Sequence, residues 1–255
     1  MKVALSLSRR EMIAMRLADG QNVVAASLAV EFDVSEDAIR RDLRLLAAEG
    51  QCRRVYGGAL PIKEPAQPLS MRLEQDVDEK HRIARAAART IEEGELVFLD
   101  SGSTNVALVD YLPTDRQIAV ATNSIDVAFA VKVKAAHPLI LVGGLVDYAI
   151  GGSVDAAAAS FLENTIVDRS FVGGCSVSAD YGIRVHDFGE AQFKRALIKS
   201  SRTSVVMATS GKFREHAPYR IGGAGDIDDL VIDETLVSSE GDALERAGYR
   251  IIRAD

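Results

Sequence analysis

The chain has 255 residues, a formal net charge of −7, 47% hydrophobic and 26% charged residues, which is ordinary globular composition at a length above the usual single domain. Its two cysteines, Cys52 and Cys175, cannot build a disulfide framework or a four-ligand zinc site. No stretch reaches the ~18 apolar residues of a membrane helix and no secretory leader is evident, so the expectation is a cytoplasmic protein with no membrane partner, no metal and no cofactor.

In chain order, the first 60 residues read as helical. Ser8 can cap a first helix with Ile13 and Leu17 four apart, ending at Asp19-Gly20. A second helix is predicted from about Val24 to Phe32. A third opens at the N-cap Ser35, places Ile39, Leu43 and Leu46 on one stripe and stops at Gly50. Only Asp33 and Val34 separate the last two, the tight junction of a helix-turn-helix. The following segment QCRRVYGGA can form a wing closed by Gly57-Gly58. The expected unit is an all-α winged helix-turn-helix over residues 1–58.

Residues 59–74 hold three of the six prolines and have no helical or strand period, so they read as a linker. From 75 to 255, seven apolar runs alternate with helix-length segments: ELVFLD (95–100), QIAVAT (117–122), PLILVGG (138–144), RSFVGG (169–174), TSVVMAT (203–209), DLVIDE (229–234) and YRIIRA (249–254). Continuous apolar strands interleaved with helices predict an α/β domain with a mostly parallel sheet covered on both faces.

Charge is uneven along this layout. Residues 1–60 carry nine Lys/Arg against eight Asp/Glu, and residues 61–255 carry 21 against 29. Asp37, Arg40, Arg41 and Arg44 fall at i, i+3, i+4 and i+7 on the third helix, opposite its apolar stripe. With Ser35 and Glu36 at the helix start and Arg53, Arg54 and Tyr56 on the wing, they form a candidate face for the major groove and phosphates of double-stranded DNA.

In the larger domain, Asp100, Ser101, Gly102, Ser103 and Thr104 follow one predicted strand. Thr122, Asn123 and Ser124 follow the next, and Gly143 and Gly144 the one after. Three consecutive strands thus deliver hydroxyls, amides and a helix start to one sheet edge, a means of holding a phosphate.

The run FDVSEDAIRRDLRLLAAEG followed by RRVYGGA resembles the winged helix-turn-helix of the DeoR family of bacterial transcriptional regulators of sugar metabolism. The segments EKHRIARAAARTIEEG, LDSGST, ATNS, VGG, FGEAQFKRALI and TSGKF continue the resemblance in order over almost the whole chain. It departs at Ala38, at Tyr56 and at Thr209, where the family often has Thr, His and an acid. The resemblance implies a repressor acting as a homo-oligomer on operator DNA. It also implies a sensor for a phosphorylated sugar, similar in fold to ribose-5-phosphate isomerase, with Lys194 and Lys212 as added phosphate or sugar partners. The alternative is an isomerase-like enzyme with an accessory helical domain. Against it, the loop of Gly173, Gly174, Cys175, Ser176 and Val177 lacks an acid/base pair, and His186, Asp187 and Glu190 match no common zinc spacing.

Overall fold

A computed structural model describes residues 8–18, 21–61, 67–134 and 137–255. The predicted helix stop at Asp19-Gly20 and the middle of the predicted linker, 62–66, lie outside them. The chain divides into two compact units, Met1–Pro65 and Ala66–Asp255.

The first unit runs α1 (Arg9–Ala18), β1 (Val23–Val24), α2 (Ala25–Glu31), α3 (Glu36–Ala48), β2 (Cys52–Val55) and β3 (Gly58–Pro61). Ser8 and Glu11 close a reciprocal capping box on α1: the Glu11 N–H donates to Ser8 Oγ at 3.3 Å, and the Ser8 N–H donates to Glu11 Oε2 at 2.6 Å. Ile13, Leu17, Leu28, Ile39, Leu43 and Leu46 bury together with Val23, Cys52 and Ala59. The expectation of an all-α unit is corrected by an antiparallel three-stranded sheet ordered β1-β3-β2. Val23 and Val24 pair with Ala59 and Gly58 instead of starting α2. Two residues are too few to display a strand's alternation in sequence, although Val23 is buried and Val24 exposed as that alternation requires. A Cβ on Gly58 would collide with the Val23 carbonyl, so this pairing depends on a glycine there.

The predicted linker is narrower than 59–74. Its first residues belong to β3, and residues 69–73 form the short helix α4 (Leu69–Leu73) in the second unit. Leu69 is buried at 2% exposure and fills the space beside Gly151 that a side chain would need.

The second unit continues α5 (Val77–Ala88), β4 (Leu96–Leu99), α6 (Ser103–Leu108), β5 (Ala119–Thr122), α7 (Ile125–Lys134), β6 (Leu139–Leu141), β7 (Val146–Asp147), β8 (Gly152–Ser153), α8 (Ala156–Glu163) and β9 (Val167–Val172). Then come β10 (Ser176–Ser178), β11 (Gly182–Val185), α9 (Phe188–Ser200), β12 (Ser201–Ala208), β13 (Tyr219–Gly222), β14 (Asp229–Asp233), α10 (Ser238–Arg246) and β15 (Ile251–Ala254). The seven predicted apolar runs form one sheet ordered β15-β14-β12-β9-β4-β5-β6, parallel at every junction. One face buries Ile83, Leu99, Leu108, Val127 and Met207, and the other Phe98, Ala191, Phe193, Leu197 and Val206, as a sheet covered on both sides must. The strand sequence runs outward in opposite directions from β4, towards β5 and β6 on one side and β9 and β12 on the other. The carboxyl ends of β4 and β9 therefore flank a topological switch point, where open α/β sheets form ligand crevices.

Candidate functional site

On α3, Ser35 Oγ accepts the Ala38 N–H at 3.2 Å and starts the helix. Phe32 and Ser35 cap the two helices with Asp33 and Val34 between them. Asp33 takes a left-handed φ of 50° to make the turn, a conformation that a short polar side chain tolerates. Ile39, Leu43 and Leu46 face the core while Asp37, Arg40, Arg41 and Arg44 are exposed, as the spacing predicts. Asp42 is turned back onto Arg9 at 2.6 Å, which ties α3 to α1 and removes that acid from the basic face.

The exposed pairings on this face are local. Arg40 meets Glu36 at 3.1 Å and Asp37 at 3.8 Å, and Arg44 Nε donates to the Arg40 carbonyl at 3.3 Å. Exposed i,i+4 pairs are worth ~0.3–0.5 kcal/mol, so a phosphate can displace them. Among the described residues Arg41, Arg53 and Arg54 meet no carboxylate. Arg40 and Arg54 line a small groove of about 30 Å³ between α3 and the wing. Tyr56 stands fully exposed at the tip beside Gly57, whose φ is 80°.

The second cluster centres on Asp100, fully buried at the end of β4. Its Oδ2 accepts from Lys194 Nζ at 2.5 Å and from the Gly173 N–H at 2.9 Å, and its Oδ1 from the Ser101 N–H at 2.7 Å. One carboxylate thereby joins the ends of β4 and β9 across the switch point. Lys194, 1% exposed on α9, also meets Glu190 at 3.2 Å. Burial alone would push its ammonium down, but Asp100 and Glu190 outweigh it and hold Lys194 above the usual lysine range. Lys194 is therefore a buried cation paired with two carboxylates, not a free one.

The hydroxyls divide in the same way. Thr122 Oγ1 donates to the Leu99 carbonyl at 2.6 Å and accepts the Ser124 N–H at 3.1 Å, and the Val127 N–H donates to Ser124 Oγ at 3.5 Å. Both side chains face inward: Thr122 pins the end of β5 to β4, and Ser124 holds the first turn of α7. Asn123 Oδ1 accepts the Ser101 N–H at 3.1 Å while its Nδ2 donates to the Ser153 carbonyl at 3.1 Å, bringing β8 to the cluster. Ser103 and Thr104 are packed at 9% and 5% exposure, and their hydroxyls meet no partner among the described residues. Gly102 is extended, and a Cβ there would meet nothing nearer than Asn105 Nδ2 at 3.9 Å, so its lack of a side chain is not what shapes the loop. The crowded glycines are others: a Cβ on Gly173 would lie 2.8 Å from the Ser101 carbonyl, and one on Gly152 2.8 Å from the Asn123 carbonyl. Gly143 and Gly144 end the third strand exposed, with Gly144 abutting the Asp155 carboxylate that caps α8. α6 is only six residues long, so positive potential at this edge comes mainly from side chains.

Those side chains include two that the sequence does not advertise. Arg72 on α4 donates to the carbonyls of Ala149 and Ile150 at 3.3 and 3.2 Å. Lys80 is buried on the carbonyls of Arg72 and Gln75. Lys212 lies in a 3-10 turn (Ser210–Phe213) after β12, fixed by Glu79 through the Ser210 N–H at 2.6 Å. Its Nζ donates to the Met207 carbonyl at 3.1 Å, and no carboxylate pairs with it among the described residues. Burial, with Arg72, Lys194 and Lys80 nearby, pushes its pKa from 10.5 to about 8. Asn105 holds the Asp100 and Phe171 carbonyls with Nδ2, leaving its buried Oδ1 unpartnered.

Among the described residues, Asp100 and Glu190 are paired with Lys194, and Asp187 caps α9 by accepting the Glu190 N–H at 2.8 Å. Burial pushes the Cys52 and Cys175 thiols up, away from the reactive thiolate. Among the described residues no cluster of His, Cys, Asp or Glu could hold a metal ion, and no helix is long and apolar enough to cross a membrane.

The family model described as the DeoR C terminal sensor domain matches residues 75–234, and that of the DeoR-like helix-turn-helix domain matches residues 9–64. The chain is 31% identical over 221 residues to the glycerol-3-phosphate regulon repressor of Escherichia coli K12, covering 86% of this chain and 88% of that protein. It is 28% identical over 257 residues to a putative aga operon transcriptional repressor of Escherichia coli O157:H7, covering 98% and 95%. Among solved structures, ribose 5-phosphate isomerase A from Methanocaldococcus jannaschii aligns at 16% identity with a TM-score of 0.41 over 54% of this chain and 55% of that one. The sequence matches, not that distant overlap, carry the assignment: the chain belongs to the DeoR family and is a DNA-binding transcription regulator with a carboxyl-terminal sensor domain, not an enzyme.

Proposed function

We propose that this protein is a cytoplasmic repressor of a sugar catabolism operon that binds a pseudo-palindromic operator as a homo-oligomer and responds to a phosphorylated sugar. The observation that carries the sensor reading is Lys212, a desolvated ammonium that meets no carboxylate among the described residues, at the carboxyl edge of the sheet. A phosphate supplies the missing anion, with the unpartnered hydroxyls of Ser103 and Thr104 as further donors. Ser101, Asn123 and the Asp100–Lys194 pair act by holding the loops in place. A relative named for a glycerol-3-phosphate regulon supports a small phosphorylated ligand. The effector changes DNA binding by preferring one arrangement of the protein, and operator DNA then alters effector affinity by the same factor.

A panel of triose, pentose and hexose phosphates, measured for thermal stabilisation of the full chain and for release from a labelled operator, tests this directly. One phosphorylated sugar is expected to act in both assays and its unphosphorylated form in neither. Stabilisation by the free sugar alone would remove the phosphate from the reading. Ser103→Glu, which places a carboxylate where the phosphate is assigned, is expected to keep operator affinity and lose the effector response. A variant that still responds normally would discard this loop.

For the DNA face, Ser35 and Glu36 start the reading helix, Asp37, Arg40, Arg41 and Arg44 supply its outward groups, and Arg53, Arg54 and Tyr56 extend contact along the backbone. Arg41, exposed and meeting no carboxylate among the described residues, is the sharpest probe. Arg41→Ala is expected to weaken operator binding by about 1–3 kcal/mol with relaxed specificity if it reads a base, or to lower the salt slope by about one if it meets a phosphate. Unchanged affinity and slope would remove it from the interface.

A further inference from the structure

At one margin of the sheet the second unit leaves apolar surface uncovered. α7 turns Val127, Ala128, Ala130 and Val131 inward. Ile125, Phe129 and Val133, at i, i+4 and i+8, form the opposite stripe and are 49%, 66% and 64% exposed. A helix apolar on both sides is one expected to be covered on both. Beside it lies β6, the outermost strand, with Ile140 and Leu141 exposed and Leu145 following. Leu139 packs with the cluster that includes α7, and strand alternation puts Leu141 on that same side.

The two margins of the sheet differ in chemistry. The opposite edge strand, β15, is flanked by Arg250 and Asp255 and carries Arg253, the charges that ordinarily keep edges apart. From Pro138 to Val146 there is no charged side chain, so the β6 edge has no such guard. Ile125, Phe129, Val133, Leu141 and Leu145 are 49–80% exposed, uncovered apolar surface of the kind that marks an interface, whereas Ile140 alternates to the other face of β6 and is not part of it.

We propose that α7 and β6 form the face through which this chain pairs with a second copy of itself. An open, uncharged strand edge is complementary to its own copy turned over by a two-fold axis: antiparallel pairing of β6 with β6 satisfies the free N–H and C=O groups of both chains at once. Charge does not oppose it. Asp126 and Lys132 stand three residues either side of Phe129, and Lys134 is held by Asp110 at 2.5 Å, so the rim of the stripe is neutral towards a copy. A two-fold pair also supplies the two recognition helices that a palindromic site needs. In this respect the inference rests on the oligomeric repressor proposed above.

The test is the mass of the full-length protein by sedimentation and light scattering across a concentration series. Phe129→Asp and Leu141→Asp are each expected to raise the self-association constant for dissociation at least about 30-fold, the effect of losing an interface hot spot. Ile166→Asp, which alters an equally exposed side chain elsewhere, is expected to leave the mass unchanged. Should the aspartate variants not fold, hydrogen exchange on the wild type decides: the amides of Leu139 and Leu141, which alternate with the Val142 N–H that donates to Thr122 on β5 and so face the open edge, are expected to become protected as concentration rises through association. Wild-type mass in both folded aspartate variants, or β6 exchange independent of concentration, overturns the assignment of this face while leaving an oligomeric repressor intact. A wild-type chain that stays monomeric on its operator overturns both.

Discussion

Lys212→Met is expected to leave operator affinity in the full-length protein unchanged and to weaken effector binding by about 1.5–3 kcal/mol, roughly 10- to 150-fold, the worth of a charged hydrogen bond. Among the described residues the side chain is anchored by the Met207 carbonyl alone, so methionine keeps the apolar stem and removes the charge. The same group sets a pH dependence. Its pKa is 10.5 when free and about 8 in the folded, ligand-free protein. Between those values the unfolded chain holds a proton that the folded one has lost. The contribution of Lys212 to stability therefore rises with pH across about 8 to 10.5 and is least favourable below 8, where burial of the charged form is fully felt. A bound phosphate reverses this by drawing the proton back. Effector affinity is then independent of Lys212 titration below pH 8 and falls by roughly tenfold per pH unit above it, and Lys212→Arg flattens that limb. Calorimetric titrations in buffers of different ionisation heat would detect the proton uptake. Effector affinity that stays level to pH 9.5, or a methionine variant that responds normally, would dismiss Lys212 as the phosphate cation.

The parts of this molecule that were legible in the sequence are those where one local rule acts without competition. The seven sheet strands stand out because burial on both faces turns them into unbroken apolar runs such as LVFL and VVMA. α3 is readable because Ser35 caps it and Ile39, Leu43 and Leu46 keep helical spacing. β1 was hidden because two valines before a helix carry no period, and its pairing depends on Gly58, 34 residues after Val24. α4 was hidden by the prolines around it, although Pro68 sits at its N-cap position, where a missing N–H costs nothing. The loops of the sensor edge could be located from their Ser, Gly and Asn content, but the roles within them could not be assigned. Whether a hydroxyl faces a ligand or a neighbouring carbonyl depends on side-chain direction: Thr122 and Ser124 turn inward and Ser103 does not find a partner. Lys194 reads as a free cation until Asp100, 94 residues away, is placed against it. Arg72 and Lys80 reach the same edge from segments whose composition announces only a linker and a helix.

That buried pair yields the largest stability effects to be expected in the sensor unit, and the two halves should not be equivalent. Removing Lys194 leaves Asp100 and Glu190 as two carboxylates without their common cation, Asp100 at 0% and Glu190 at 8% exposure. Lys194→Met is therefore expected to cost about 3–5 kcal/mol, the range for breaking a buried ion pair by deleting one partner. Removing the charge of Asp100 is milder. In Asp100→Asn the ammonium keeps Glu190 at 3.2 Å, and the amide oxygen can still accept from the Gly173 or Ser101 N–H, so about 1–3 kcal/mol is expected. The double variant Asp100→Asn/Lys194→Met should be less damaging than the sum of the singles, because the charge left stranded by one change is removed by the other. Denaturation of the full chain, with the sensor transition followed separately from that of the helix-turn-helix unit, measures all three. If Asp100→Asn proved as destabilising as Lys194→Met, Glu190 could not be acting as a second partner. If both singles were neutral, the pair would not be what holds the ends of β4 and β9 together, and the crevice at the switch point would owe its shape to packing around Gly173 alone.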